Sequence, residues 1–143
     1  MNLIEIFTDG ACRGNPGKGG WGALIRLDDK EETIYGGNNH TTNNIMELTA
    51  AIKALEHIPE NSMVILTTDS KYVMQGITEY MENWKRRNWK TAAKKPVKNK
   101  ELWERLDYLT TIHSIEWKWV KGHSGHRENE IADQLANKGI DKI

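Results

Sequence analysis

Apolar and polar positions follow two periods along the chain, and the changes from one to the other mark its elements. Residues 3–8 are short, apolar and β-branched, and Asp9-Gly10 ends them, which predicts a strand. Residues 20–27 (GWGALIRL) and 32–37 (ETIYGG) predict two more, with Asp28-Asp29-Lys30 as the turn between them; the three read as an antiparallel meander. Helical spacing takes over at Leu48, Ala51, Ile52 and Leu55, behind the capping residues Thr41-Thr42-Asn43-Asn44. Met63–Thr68 is nearly all apolar or β-branched, as expected of a central strand covered on both faces. Asp69-Ser70 then opens a helix with Tyr72, Val73, Ile77, Tyr80, Met81 and Trp84 as its apolar positions. Gly76 inside it costs about 1 kcal/mol relative to Ala, so a packing contact is expected there. Asn88 suits a left-handed terminator after Lys85-Arg86-Arg87.

Residues 89–99 read as a polar loop, and 100–113 as a helix with Leu102, Trp103, Leu106 and Leu109 inward. In 114–120 (SIEWKWV), Ile115, Trp117 and Trp119 alternate with Glu116 and Lys118, a strand with one more exposed face. The loop 121–126 (KGHSGH) leads to a last helix over 128–138, with Ile131, Ala132, Leu135 and Ala136 on one face and Gly139 as its stop.

With 143 residues and a 38% hydrophobic fraction, the chain predicts one soluble domain that buries a core without staples. Cys12 is the single cysteine, which excludes an intrachain disulfide framework and a cysteine-rich zinc site. No stretch approaches the length of a membrane span and the start MNLIEIF lacks a basic signal head, so a cytoplasmic location is expected. Asn39-His40-Thr41 matches a glycosylation sequon, read as coincidence in the absence of a secretion signal. Net charge zero hides an asymmetry. Residues 84–100 hold eight basic side chains and no acid, which leaves 12 basic against 20 acidic residues elsewhere, a net −8. One basic block on an acidic body points to an anionic partner held locally.

The candidate chemistry lies in acids at element ends. Asp9 and Asp69 each follow an apolar run and a Thr, and two strand tips carrying Asp suggest one shared site; the plain alternative for Asp9 is a turn residue. Glu47 is expected in the first turn of its helix, where it suits either a capping box with Asn44 or a position aimed at the strand tips. Asp133 lies near the inner face of the last helix, where a carboxylate needs a partner. If these four converge, cations must offset their repulsion, and hard oxygen ligands favour Mg²⁺ or Mn²⁺ over Zn²⁺. Two such ions can bind the attacking and leaving oxygens of an in-line phosphoryl displacement. A phosphate-loop reading of 14–20 (GNPGKGG) fails, because Lys18 is followed by Gly19 and Cys12 stands where the first glycine belongs.

The stretches IFTDGACRGNPGKGGWGA, TTNNIMELTAAI, LTTDSKYVMQGI, NWKRRNWKTAAKKPVKNKELW and WVKGHSGHRENEIADQLA span nearly the whole chain. Through them the sequence closely resembles type 1 ribonuclease H of the bacterial kind. The resemblance implies an α/β fold: a five-stranded mixed sheet, strands four and five parallel to the first, flanked by helices. It implies a monomer that cleaves the RNA strand of RNA–DNA hybrids with two Mg²⁺ ions (Mn²⁺ as a substitute), leaving 3′-hydroxyl and 5′-phosphate ends. Asp9, Glu47, Asp69 and Asp133 match the metal-binding carboxylates of that family, and His123 its loop histidine that helps proton transfer or product release. Glu130 matches an acid near the second metal, with a solvated helix charge as the alternative. His123-x-x-His126 has the spacing of a metal pair, but lacks cysteine partners for zinc.

Asn15, Asn43 and the backbone around Gly10, Cys12 and Asn44 resemble groups that meet RNA 2′-hydroxyls, the feature that separates RNA from DNA. Thr42 and Asn15 resemble part of a pocket for a DNA-strand phosphate at a helix N-terminus. Residues 84–100, with Lys85, Arg86 and Arg87, correspond to the family's basic protrusion; Trp84 and Trp103 match aromatic residues of the DNA-strand channel, with core packing as the alternative. Lys71, Tyr80, Asn88 and Arg127 depart from the family's usual Gln, Trp, Gly and Pro. Two other classes compete: a non-catalytic hybrid-binding module, and another polynucleotidyl transferase of the same fold.

Overall fold

The computed structural model describes residues 3–122 and 125–143. Three long strands come first: β1 (Leu3–Arg13), β2 (Gly17–Leu27) and β3 (Lys30–Thr41). They form the expected antiparallel meander, and β2 and β3 are joined by a two-residue turn in which Asp28 takes a left-handed φ of 56°. Helix α1 (Asn43–His57) and strand β4 (Met63–Thr68) follow. Next come α2 (Lys71–Gln75), a π-helical turn over Gly76–Tyr80, and α3 (Met81–Arg86). After the basic loop come α4 (Lys100–Ile112), β5 (Ser114–Trp119) and α5 (Arg127–Asp141). The sheet order is β3-β2-β1-β4-β5, with β4 parallel to both β1 and β5.

The first strand corrects the sequence reading. It does not end at Thr8: its parallel ladder with β4 stops at Thr8–Thr68, but its antiparallel ladder with β2 continues to Arg13–Lys18. Asp9 is therefore not at a strand tip. It occupies the first position of β1 that β4 no longer flanks. Asp9-Gly10 reads as a turn signal, yet ladder hydrogen bonds outweigh local turn preference, and Gly10 serves a different purpose. A Cβ there would stand 2.5 Å from the Glu47 nitrogen, so its absence lets α1 approach β1.

The two faces of the sheet are covered differently. Ile4, Ile6, Ala23, Ile25, Val64 and Leu66 pack against α1 and α4 to form the main core. Leu48, Ala51, Ile52 and Leu55 of α1 all point into it, as their spacing predicts. The other face of β1 and β2 is covered by α5. Gly20 and Gly22 lie under Ala132, Leu135 and Ala136, and Gly139 lies against the backbone of Gly36. Gly139 is thus not the stop of the last helix, which runs on to Asp141; its missing side chain lets helix and sheet backbones touch.

The helical segment 71–86 confirms the packing role expected of Gly76, whose Cα faces the Trp103 ring too closely to admit a Cβ. Trp103 is 0% exposed and donates its Nε1–H to the Tyr72 hydroxyl at 3.1 Å. This corrects the channel reading of Trp103: the residue is core. Trp84 is half-buried, its ring stacked on Tyr80 at 5.9 Å and tilted against Trp103 at 5.3 Å. Asn88 takes the left-handed conformation expected of it (φ 57°). Among the described residues no helix is long and apolar enough to cross a membrane.

Candidate active site

Three elements deliver three carboxylates to one point. Asp9 comes from the stretch of β1 beyond the reach of β4, and Asp69 from the residue after β4. Glu47 comes from the second turn of α1. The reading of Glu47 as a first-turn or capping-box residue is corrected here: Thr42 is the N-cap, its Oγ1 accepting from the Ile45 N–H at 3.2 Å, and the first turn holds no acid. One oxygen from each of Asp9, Glu47 and Asp69 lies within 4.8 Å of the others. Asp133, from α5, is partly buried, and its carboxyl meets that of Asp9.

The electrostatics of this cluster are unfavourable without a cation. Burial pushes the Asp9 carboxyl up to about 11, helped by the charges of Glu47 and Asp69 and by its contacts with Asp69 and Asp133. Burial likewise raises Glu47 well above the usual carboxylate range, with Asp69 adding to it; the Gly10 backbone N–H, which donates to Glu47, opposes the shift. Glu47 Oε1 and Asp69 Oδ1 are buried with no hydrogen-bond partner. An unpartnered buried acceptor costs about 1–3 kcal/mol, and more when charged. Oxygen-only donors with open lone pairs fit a hard divalent cation.

Asp69 is held from its far side. Trp119 donates its indole N–H to the Asp69 carbonyl at 3.1 Å, and the Val120 N–H bonds the Thr68 carbonyl at 3.0 Å. A Cβ on Gly122 would come within 2.8 Å of Asp69 Oδ2, so the chain after β5 passes directly over this carboxylate. Lys71 places its ammonium 5.6 Å over the Trp119 ring. Sequence reasoning assigns Trp119 only to an alternating strand; nothing in the pattern marks an indole that bonds a backbone carbonyl fifty residues away.

The residues expected to meet a substrate fall into two groups. Asn15, from the β1–β2 turn, accepts the Asn43 N–H on Oδ1 at 3.1 Å, so the turn caps the start of α1 together with Thr42. Cys12 Sγ lies 2.7 Å from the Gly14 carbonyl and 3.5 Å from that of Thr41. Gly10, Cys12, Asn15, Thr42, Asn43 and Asn44 thus lie around one junction beside Glu47. Lys85, Arg86 and Arg87 are exposed at the end of α3, with Lys85 bonded to Asp107 at 3.2 Å. Glu130 is exposed on α5. His123 lies outside the described residues. His126 is the N-cap of α5, its Nδ1 accepting the Asn129 N–H at 3.1 Å.

Known proteins share this architecture. The sequence profile of the RNase H family matches residues 1–141. A ribonuclease H of Alcanivorax borkumensis is 62% identical over 143 residues, covering 100% of this chain and 95% of that protein. Among solved structures, LC9-RNase H1, described as a type 1 RNase H with the type 2 active-site motif, superposes with a TM-score of 0.89 at 31% identity, over 99% of this chain and 73% of that one. LC11-RNase H1, solved in complex with an RNA/DNA hybrid, superposes with a TM-score of 0.74 at 25% identity, over 97% of each chain.

Proposed function

The chain belongs to the RNase H family, and on that premise we propose that it is an endoribonuclease that hydrolyses the RNA strand of RNA–DNA hybrids. The observation that carries this reading is the convergence of Asp9, Glu47 and Asp69 on one point with buried oxygens left unpartnered. LC11-RNase H1, with a hybrid bound, supports the substrate class. In this reading residues 1–143 act as one catalytic domain, a monomer in the cytoplasm, with 84–100 as its basic protrusion.

Asp9, Glu47 and Asp69 would hold Mg²⁺, with Mn²⁺ as a substitute, and Asp133 would complete the set beside Asp9. When bound, a pair of such ions polarises the phosphate, activates the attacking water and stabilises the leaving 3′-oxygen. The protein's part is to keep four acids at fixed positions against their mutual repulsion. β1 and β4 place Asp9 and Asp69 through their ladder, Gly10 admits Glu47, and Trp119 pins the Asp69 backbone. Asn15, Asn43, Asn44 and the backbone at Gly10 and Cys12 would read RNA 2′-hydroxyls, and Thr42 with Asn15 a DNA-strand phosphate. Trp84 would stack against the DNA strand, while Lys85, Arg86 and Arg87 meet its phosphates. His123 would move the proton of the leaving product, a role worth about 10²–10⁴-fold.

The test is digestion of matched hybrid, RNA-duplex and DNA-duplex substrates with and without Mg²⁺. Metal-dependent cleavage confined to the RNA of the hybrid is expected. Hybrid binding without cleavage would leave only a binding module, and cleavage of DNA duplex would point to another polynucleotidyl transferase.

A further inference from the structure

The face of β1 that carries Asp9 also carries Glu5 and Phe7, because alternate residues of a strand share a face. Arg26 of β2 lies across these two. Its guanidinium sits 5.5 Å over the Phe7 ring and 3.5 Å from Glu5. It also bonds Glu31 of β3 at 3.0 Å and Glu128 of α5 at 2.7 Å. Phe7 in turn meets the ring of His126, the α5 cap, at 5.8 Å. One side chain therefore joins three strands to the first turn of α5.

The spacing links this joint to the carboxylate cluster. From Phe7 to Asp9 the strand advances by about 7 Å. From Glu128 to Asp133 the helix advances by about 7.5 Å, at 1.5 Å per residue. The helix starts over β1 and crosses the meander obliquely: His126 meets Phe7 and Asp133 meets Asp9 on β1, Ala136 meets Gly20 on β2, and Gly139 meets Gly36 on β3. Fixing the first turn of α5 thus fixes how far along β1 Asp133 stands. That place decides whether its carboxyl meets that of Asp9.

We propose that Arg26 is a positioning residue, which sets the register of α5 on β1 and so the place of Asp133 beside Asp9. The proposal rests on the reading of that cluster as the nuclease site. Arg127, the neighbouring cation, does not share the role. Its side chain is 62% exposed against 24% for Arg26, and its contacts to Glu31 and Glu128 are all at 3.5 Å. Exposed pairs of that kind contribute little, because water screens them. Arg26 has a planar fork that meets Glu31 and Glu128 together, which Lys cannot reproduce.

The test compares Arg26→Met, Arg26→Lys and Arg127→Gln with the parent. Four quantities are read: kcat and KM on a hybrid, the rise in unfolding midpoint caused by Mg²⁺, and amide exchange in α5 and β4. Loss of a residue that orients a metal-holding group typically costs about 10–100-fold. Arg26→Met should lower kcat by that amount with KM within about twofold, shrink the Mg²⁺ response, and speed exchange at 129–133 while β4 keeps its protection. Arg26→Lys keeps the charge, remains folded and should fall between Arg26→Met and the parent; Arg127→Gln should match the parent. Exchange that rises equally in β4 and α5, or an unchanged kcat and Mg²⁺ response in both Arg26 variants, would overturn the proposal. If the parent itself cleaves no hybrid, the nuclease reading fails, and exchange with the Mg²⁺ response decides on Arg26 alone; no change in them overturns it.

Discussion

At Asp9, burial and the charges of Glu47 and Asp69 act in one direction, and all raise the carboxyl. The folded values of Asp9 and Glu47 lie above their ordinary values of 3.8 and 4.5, so folding takes up protons. The stability these groups contribute is fully present below about pH 4 and is lost as pH rises through the window toward the folded values. The metal-free protein therefore carries a penalty at neutral pH that a divalent cation relieves by binding the folded state. Asp9→Asn keeps the shape and removes the charge. Without Mg²⁺ at pH 7 its unfolding midpoint should equal or exceed that of the parent, and the difference should vanish as pH falls to about 4. The Mg²⁺-induced rise should shrink and hybrid cleavage should fall nearly to background. A variant that unfolds well below the parent and still cleaves would make Asp9 a structural residue. Gly10→Ala tests the same point by geometry. Its methyl would stand 2.5 Å from the Glu47 nitrogen and 2.7 Å from the Met46 carbonyl carbon, both backbone atoms that cannot turn aside. Overpacking of this kind costs about 1–3 kcal/mol. Chemical denaturation should show that loss, and cleavage should fall with it because Glu47 is displaced.

Between elements, the contact of α5 with the meander is made of absent side chains. Gly139 lies inside the helix, so propensity alone gives Gly139→Ala a gain of about 1 kcal/mol. Its Cβ, however, would overlap the Gly36 carbonyl, a backbone group of β3. The clash outweighs propensity, and the variant should unfold at lower urea than the parent by an amount equivalent to about 1–3 kcal/mol. A higher midpoint would mean that helix and sheet separate freely. This contact also shows where the sequence stops being legible. Meander and helix faces follow from turn signals and periods of 2 and 3.6, and Met63–Thr68 is recovered to the residue, while the parallel directions of β4 and β5 came only with the family resemblance. Gly10 and Gly139 mislead because a glycine reads as a breaker whenever local rules are applied, whereas here each marks a backbone crossing. The signal was present in the alternation of Gly20 and Gly22 on one strand face, matched to Ala132, Ala136 and Gly139 on one helix face. Asp9, Glu47, Asp69 and Asp133 stood out in the sequence as acids beside apolar runs, although β1 runs on past Asp9 and Glu47 lies in the second turn of α1, while Arg26 and Trp119 did not stand out. Their roles depend on partners 102 and 50 residues away, and neither belongs to a local pattern.

At the scale of the whole molecule, a neutral chain presents eight basic residues over 84–100 and a net −8 elsewhere. A polyanion is repelled by most of this surface and attracted by one block, so charge sets orientation as well as affinity. The block is built to be held in place. Val97 is buried, the Trp89 N–H bonds the Trp84 carbonyl at 2.6 Å, and Val97 N–H bonds Trp89 at 3.1 Å. Asn88, Trp89, Lys94 and Asn99 all take left-handed φ values near 60°, a costly conformation for Trp that these bonds sustain. Among the described residues Lys85 is the one cation of the block in an ion pair, with Asp107, so Arg86 and Arg87 are the freer charges. Each phosphate contact releases counterions and steepens the dependence of log affinity on log salt by about 0.7–0.9. Arg86→Gln combined with Arg87→Gln should therefore flatten that slope by up to twice this amount. KM should rise most at low salt, kcat should stay within about twofold of the parent, and the unfolding midpoint should not move. Neither side chain touches the carboxylate cluster, so a loss confined to kcat would mean that the block acts on the chemistry. An unchanged slope would mean that it never meets the nucleic acid, and that the asymmetry of charge serves solubility alone.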